Sequence, residues 1–176
     1  MSIKVGQTFS SPPTLPMSNP NVVGEKEFFE NFGHKKAKML ATDEDGFVNS
    51  ATKYQSITSF DIGDCISIFA IEKGNTKNES VICWHIGDGS SVKYLKNEMK
   101  GNYTNPYDIY IIGGNSSTTE GPDCLLNNIH EAIENVFNST YTVKLELINL
   151  DKKTGLNFVS ANMHLNGALT LCYHND

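Results

Sequence analysis

The stretch CISIFAIEKGNTKNESVICWHI, residues 65–86, decides the fold that this chain can adopt. Two apolar segments within it, 65–72 and 80–86, are rich in β-branched and aromatic residues, which predicts two β-strands. The polar run between them is typical of a solvated hairpin loop. Antiparallel pairing of the two strands brings Cys65 and His85 roughly opposite each other, at the open end of the hairpin.

Cys65 and His85 have the layout of a nucleophile and its base. A thiol is a weak nucleophile until a neighbour takes its proton, so catalytic cysteines pair with an imidazole that a third group orients. Ser59, with Thr58 as the alternative hydroxyl, is the candidate orienting group, placed in the turn before the nucleophile. The competing interpretation is plain core packing, because cysteine is among the most buried residue types.

Gly63 indicates a tight backbone turn at the entrance to the strand. The main-chain N–H groups of Gly63, Asp64 and Cys65 are expected to hold an oxyanion that develops beside the thiol. Asp61 and Asp64 flank the nucleophile and offer another way to orient a base. A nearby carboxylate would raise the pKa of the thiol, and Ser59 is therefore preferred for that role.

The remaining patterns predict an α+β protein, with a layered mixed β-sheet or β-sandwich flanked by helices. The clearest helix follows Asp123, a candidate cap, because the apolar residues from Leu125 to Phe137 fall on one stripe. His130 lies off that stripe, which indicates a plain surface residue. Trp84 alternates to the face opposite His85 and is expected to pack. Further helices are predicted at 25–31 and around 92–99, further strands at 107–112, 142–150, 156–161 and 167–173, and a turn between two short strands at 43–46.

The composition limits the class of protein. The chain has 176 residues, 39% of them hydrophobic, which suits one domain with a sizeable core. We predict a flexible polar segment at 1–23 and a single α+β domain at 24–176. The formal net charge is −6 and all 14 basic residues are lysine. This argues against nucleic-acid and membrane partners, because both polyanions would be repelled and no arginine offers a bidentate phosphate contact.

The four cysteines are widely spaced and form no C-x-x-C pair, so neither a metal site nor another cofactor is expected. The segment 1–23 contains no apolar core of signal-peptide length, and no apolar run is long enough to span a bilayer. We therefore expect a cytoplasmic protein, or one exported into a host cytosol without a cleavable signal peptide.

From about Ser59 to Tyr173 the order of these features resembles the CheD-like glutamine deamidases. That superfamily includes chemoreceptor deamidases, the catalytic domains of cytotoxic necrotizing factors and a Burkholderia lethal factor type of toxin. SFDIGDC, residues 59–65, is similar to the chemoreceptor enzymes' Thr-Leu-Gly-Leu-Gly-Ser-Cys run, with Gly and Cys coinciding and a hydroxyl residue first. CWHI at 83–86 resembles the Val-Trp-His-Ile of the lethal factor type, and IIGG at 111–114 resembles a Phe-Gly-Gly strand end.

The resemblance implies a protein glutamine deamidase with a CheD-like fold, which uses Cys65 as nucleophile, His85 as base and Ser59 as orienting group, without a cofactor. The chain lacks the Leu-Pro that follows the histidine in chemoreceptor enzymes and their late Gly-Gly-x-x-x-Arg stretch. These departures favour a bacterial toxin or effector, a virulence factor whose partner is a host protein. A transglutaminase or a cysteine protease would use the same dyad, and a non-catalytic binding module would use none.

Overall fold

The computed structural model describes residues 20–138, 140–149, 152 and 154–175. Most of the predicted flexible segment at 1–23 therefore lies outside the described residues. In chain order the elements are β1 (Asn21–Val22), α1 (Glu25–Phe32), β2 (Lys38–Leu40), β3 (Glu44–Asn49), β4 (Ser56–Ile62), β5 (Ile66–Lys73), β6 (Asn78–Ile86), α2 (Val92–Met99), β7 (Tyr107–Gly113), α3 (Ser116–Thr119), α4 (Leu125–Phe137), β8 (Tyr141–Ile148), β9 (Phe158–His164) and β10 (Leu169–His174).

The strands within the described ranges form two five-stranded sheets. Sheet A has the order β1-β10-β9-β4-β2, and sheet B has the order β3-β6-β5-β7-β8. Each sheet is mixed: the pairs β1 with β10, β2 with β4 and β7 with β8 are parallel, and the other pairs are antiparallel. With four helices in the same ranges, the predicted α+β class is confirmed at this level.

Alternation of side chains along the strands of sheet B builds two separate cores. On β5, Ile66 and Ile68 face a core that sheet B shares with α2 and α4. Phe69 and Ile71 face the other way, into a core between sheet B and sheet A. Trp84 belongs to the helix-covered core and contacts Phe137 of α4, with ring centroids 6.3 Å apart, so the prediction that it packs is confirmed.

The hairpin of β5 and β6 pairs antiparallel, as its sequence predicts, but the register differs by two residues. Ser67, and not Cys65, lies directly opposite His85. Cys65 precedes β5 by one residue and shares the inner core with the odd-numbered side chains of that strand. Cys65 and His85 are therefore diagonal neighbours on one face of sheet B rather than a directly opposed pair.

The segment before the nucleophile, which the sequence predicts to be a turn, is a strand. Its sequence Ser-Ile-Thr-Ser-Phe-Asp-Ile forms β4, which is paired on both sides within sheet A. The register with β9 shifts between Ser59 and Ile62, and Asp61 there adopts the left-handed region with φ 54°. The glycine signal at Gly63 thus marks the end of a strand with a bulge, where the chain crosses from sheet A to sheet B.

One smaller expectation is wrong, and another is shifted along the chain. The residue before α4 is Cys124, and no side chain caps that helix, so Asp123 is not the cap. The turn expected at 43–46 lies slightly earlier, because β3 already begins at Glu44. Among the described residues, no helix is both long and apolar enough to cross a membrane.

Candidate active site

Cys65, His85 and Ser59 come together at one end of the space between the two sheets. Cys65 follows β4 and is 8% exposed, whereas His85 on β6 and Ser59 on β4 are 0% exposed. Ile57 and Ser59 alternate to the same side of β4, which faces sheet B. Ser59 therefore meets His85 across the interface of the two sheets.

A chain of buried hydroxyl groups holds one side of the imidazole. Ser59 Oγ lies 3.0 Å from His85 Nδ1 and 2.6 Å from Ser67 Oγ, and all three residues are fully buried. When Nδ1 donates to Ser59, the lone pair of the ring lies on Nε2, which is the tautomer that a general base needs. Such a buried, satisfied contact restrains both the ring plane and the tautomer.

The other ring nitrogen, Nε2, makes no hydrogen bond of standard geometry, although the Leu40 carbonyl lies near enough to the imidazole to affect its pKa. Within the described part of the chain, His85 Nε2 is the one buried side-chain nitrogen or oxygen atom without a hydrogen bond of this kind. Buried polar atoms are almost always hydrogen-bonded. A buried nitrogen without a partner is therefore unusual, and a catalytic role is one of its known causes. Burial lowers the pKa of His85, and the Leu40 carbonyl and the carboxylates of Asp43 and Glu44 oppose that shift, so the neutral imidazole is favoured.

The thiol of Cys65 is also neutral at rest. Burial raises its pKa, and the Asp64 carboxylate, whose Oδ1 accepts from Sγ at 3.5 Å, raises the pKa further. The Thr42 hydroxyl, 3.5 Å from Sγ, acts in the opposite direction and favours the thiolate. No hydrogen bond joins Sγ to the orphan Nε2 of His85 among the described residues. The resting site thus holds a thiol and a free base rather than an ion pair.

The loop that carries the thiol, residues 63–65, lies beside a cleft. Among the described residues, no backbone carbonyl accepts from the N–H groups of Gly63, Asp64 or Cys65. The carbonyl of Cys65, in contrast, is held by Gly114 N–H at 2.7 Å. A cleft of about 380 Å³ opens beside this loop, and its lining residues are Ile62, Gly63, Asp64, Gly113, Gly114, Asn115, Leu156, Asn157, Phe158 and Val159. Gly63 and Asp64 are among these lining residues and Cys65 is not, so the cleft borders the loop next to the thiol.

Thr58 is not an alternative partner of His85. It lies on the outer face of sheet A, where its hydroxyl donates to the Phe32 carbonyl of α1 at 2.7 Å and accepts from Asn162 Nδ2 at 2.9 Å. Neighbouring residues of a strand point to opposite faces, so only one of Thr58 and Ser59 can face the imidazole.

Asp61 does not orient the base either. Its carboxylate lies 3.4 Å from His174 Nε2, and its N–H donates to Ser160 Oγ at 3.1 Å, on the outer side of the β4 bulge. Ser160 Oγ is also 3.0 Å from His174 Nε2. These contacts hold the bulge in place ahead of the loop that carries Cys65.

Two side chains that contact the site, Ser67 and Thr42, are not among the residues predicted for it. Ser67 follows Cys65 by two residues on the same face of the hairpin, so the period of two along a strand could have found it. Thr42 lies in the β2–β3 connection, and nothing in the local sequence indicates that it reaches Cys65, 23 residues away.

His130 was expected to be a plain surface residue, and this is wrong. Its Nε2 lies 2.9 Å from the carboxylate of Glu146, which is fully buried on the outer face of β8. The pairing explains how a glutamate is tolerated beneath α4, because a buried carboxylate needs a partner.

The chain matches no protein-family model, and no curated protein has a significantly similar sequence.

Proposed function

We propose that this protein is a cysteine-dependent glutamine deamidase with the fold of the CheD-like superfamily. The observation that carries the proposal is the buried Ser59–His85 hydrogen bond, which leaves an unpaired Nε2 on the face of sheet B that also holds Cys65. The pattern of an orienting group, a base and a nucleophile is that of cysteine-dependent acyl transfer.

In the first half of the reaction, His85 Nε2 takes the proton of Cys65 as Sγ attacks the carboxamide carbon of a glutamine side chain. The C–S bond forms, and the carbonyl oxygen becomes an oxyanion that the N–H groups of the loop at 63–65 stabilise. The C–N bond then breaks and the nitrogen takes the proton from His85. Ammonia leaves, and a thioester remains on Cys65. Hydrogen bonds at resting sites are often longer than in the reacting complex, so Sγ and Nε2 are expected to approach when substrate binds.

In the second half, water hydrolyses the thioester. His85 takes a proton from the attacking water, the C–S bond breaks, and the sulfur recovers a proton from the imidazolium. The product is glutamate, and the sum of the two halves is an amide plus water giving a carboxylic acid plus ammonia. A neutral imidazole begins each half, which agrees with the lowered pKa of His85.

The narrow access to Cys65 favours a side-chain amide over a backbone amide as substrate. Cys65 as a residue is 8% exposed, and the side chains of Thr42 and Asp64 both lie 3.5 Å from its Sγ. A glutamine side chain is slender enough to enter from one residue, whereas a protease must bind several residues of extended backbone along the nucleophile. We therefore rank peptide-bond cleavage below deamidation.

We further propose that the substrate is a host protein and the enzyme a bacterial toxin or effector. Replacing one neutral amide with a carboxylate in a buried or switch position costs the target several kcal/mol, of the order of an uncompensated buried charge. One enzyme molecule would thus inactivate many target molecules.

The test is quantitative peptide mass spectrometry of a eukaryotic cell extract treated with wild-type protein, Cys65→Ser or Cys124→Ser. Cys124→Ser is a matched control, because Cys124 precedes α4 at a position where serine is a good cap. Conversion of one or a few glutamines to glutamate by wild type and Cys124→Ser, but not by Cys65→Ser, is the expected result.

Other outcomes separate the competing functions. Glutamines joined to amines indicate a transglutaminase, and new peptide termini indicate a protease. A third outcome is an unchanged extract together with the same alkylation rate of Cys65 in the wild type and in a His85→Ala variant. In that case the chain is a binding module without this chemistry.

A further inference from the structure

The side chain of Asp64 contacts the thiol of Cys65, and the residue also lines the cleft next to it. Its Oδ1 accepts a hydrogen bond from Sγ at 3.5 Å, and it belongs to the wall of the cleft of about 380 Å³. Any group that forms a bond to Sγ therefore comes within a few ångströms of this carboxylate. The carboxylate must either help or hinder such a group, according to its hydrogen-bonding atoms and its charge.

The Asp64 carboxylate has spare acceptor capacity. Asp64 is exposed, and among the described residues its side chain makes no other hydrogen bond than the one with Sγ. No lysine or histidine within the described ranges is at ion-pair distance from it. An ionised carboxylate has about four acceptor positions, and a thiol is a weak donor. Most of the acceptor capacity beside Sγ is therefore open to a molecule that binds there.

The contact does not activate the thiol at rest. Asp64 raises the pKa of Cys65 through its charge and through its hydrogen bond with the thiol. A carboxylate that is exposed to water does not need a donor as weak as a thiol. The placement of Asp64 agrees better with a later step, when the Sγ proton has left and a substrate group lies in its place.

A carboxamide supplies a stronger donor at this position. It has two N–H groups beside a carbonyl oxygen, whereas a carboxylate has acceptors only. When Sγ attacks the carboxamide carbon, the nitrogen is one bond from the atom under attack and thus close to Asp64. A hydrogen bond in which one partner is ionised is stronger than a neutral one. The carboxylate that hydrolysis produces in the same place offers no donor and is repelled.

We infer that Asp64 is a substrate-binding residue of the proposed active site, whose carboxylate accepts a hydrogen bond from the carboxamide N–H of the glutamine and repels the carboxylate of the product. This inference rests on the proposed deamidase function and adds the group that distinguishes an amide from an acid. Asp64 keeps its charge throughout, because the proton for the leaving nitrogen comes from His85 Nε2. One N–H of the amide donates to Asp64, and the nitrogen itself takes the proton of His85.

The first experiment measures this selectivity without a protein substrate. The alkylation rate of Cys65 is measured by peptide mapping with iodoacetamide, with its N,N-dimethyl derivative and with iodoacetate. Iodoacetamide carries the N–H donors of a glutamine side chain, the dimethyl derivative has none, and iodoacetate carries the charge of the product. The ratio of two rates in the same protein cancels any change in the thiolate fraction.

The variants are Asp64→Asn and Asp64→Ala, with Glu79→Gln as the matched control. Glu79 is exposed at the far end of β6, about 20 Å from His85 by the rise per residue of a strand. A carboxylate about 5 Å from Asp64 in water is disfavoured about fourfold, so the ratio of iodoacetamide to iodoacetate should fall about fourfold in both Asp64 variants at low salt. The ratio of iodoacetamide to its dimethyl derivative should fall about fivefold in Asp64→Ala, the order of one hydrogen bond. Equal ratios in wild type and Asp64→Ala overturn the inference.

The second experiment uses the extract assay. Glutamine conversion by Asp64→Ala should fall about tenfold, the order of a hydrogen bond to a charged group, whereas Glu79→Gln should act as wild type. Alkylation of Cys65 by the dimethyl derivative should become faster in Asp64→Ala, because the loss of Asp64 lowers the pKa of the thiol. A residue that only maintained the loop would slow both reactions, and that result overturns the inference.

Two further outcomes separate a failure of this inference from a failure of the proposed function. Glutamine conversion by Asp64→Ala at the wild-type rate overturns the role of Asp64 and leaves the deamidase function standing. If no glutamine is converted by any of the proteins, wild type included, the proposed function fails. The role of Asp64 toward a glutamine then fails with it, whatever the alkylation ratios are.

Discussion

Removing the Ser59 hydroxyl tests whether the buried hydrogen-bond chain positions the proposed base. In Ser59→Ala, His85 Nδ1 loses its partner at 3.0 Å and Ser67 Oγ loses its partner at 2.6 Å, inside a core where none of these residues is exposed. Each polar group left unpaired in a core costs about 1–3 kcal/mol. We expect the free energy of unfolding to fall by about 2–3 kcal/mol, because the two orphans can partly pair with each other.

Thr58→Ala is a matched control on the adjacent residue of the same strand. Thr58 is also fully buried and also makes two hydrogen bonds through its hydroxyl, to Phe32 and Asn162, but on the outer face of sheet A. A similar loss of stability is therefore expected from both variants. Only Ser59→Ala removes a contact of the imidazole.

Urea unfolding and glutamine turnover, measured where all variants are folded, separate stability from positioning. We expect turnover to fall about 100-fold in Ser59→Ala, the order of loss for a misplaced catalytic group, and by no more than a few-fold in Thr58→Ala. Ser59→Thr, which keeps the hydroxyl, should restore most of the activity. Equal turnover in Ser59→Ala and Thr58→Ala would refute the assignment of Ser59 as a positioning residue.

Three further predictions concern the same region. Because burial lowers the pKa of His85 below its ordinary 6.5, this histidine takes up a proton in the unfolded chain first on acidification. The free energy of unfolding should therefore be highest above pH 6.5 and fall as the pH drops toward the pKa of the folded state. Urea unfolding at about pH 8 and about pH 5.5 should show a smaller loss of free energy for His85→Asn than for the wild type. Thr42→Val should raise the pKa of Cys65 and slow its alkylation by iodoacetamide a few-fold at neutral pH, whereas Thr42→Ser should react as wild type; equal rates for both variants would show that the hydroxyl has no effect on the thiol. Gly113→Ala should lower the free energy of unfolding by more than about 2 kcal/mol, because at φ 112° a Cβ atom also meets the Cys65 carbonyl and an isoleucine side chain. Gly121→Ala, at φ 95° with open space around it, should cost only the backbone strain. Equal losses in the thermal melts of the two variants would contradict this prediction.

The sequence by itself determined those features that depend on local periodicity. Alternation with a period of two predicted the hairpin at 65–86 and the placement of Cys65 and His85 on one face, away from Trp84, because successive side chains of a strand must point to opposite sides. The stripe from Leu125 to Phe137 predicted α4 for the same kind of reason, with a period of 3.6.

Contacts between the sheets were decided only by the tertiary structure. Ser59 and His85 are separated by 26 residues, and their hydrogen bond exists because β4 lies in sheet A and turns its Ser59 face, not its Thr58 face, toward sheet B. Which face of a strand packs against another sheet depends on how the whole chain covers its apolar surface. In a strand that is buried on both faces, the local sequence does not indicate which face this is. The contact of Thr42 with Cys65 has the same origin, because loop closure over long stretches of chain is set by packing rather than by the local sequence.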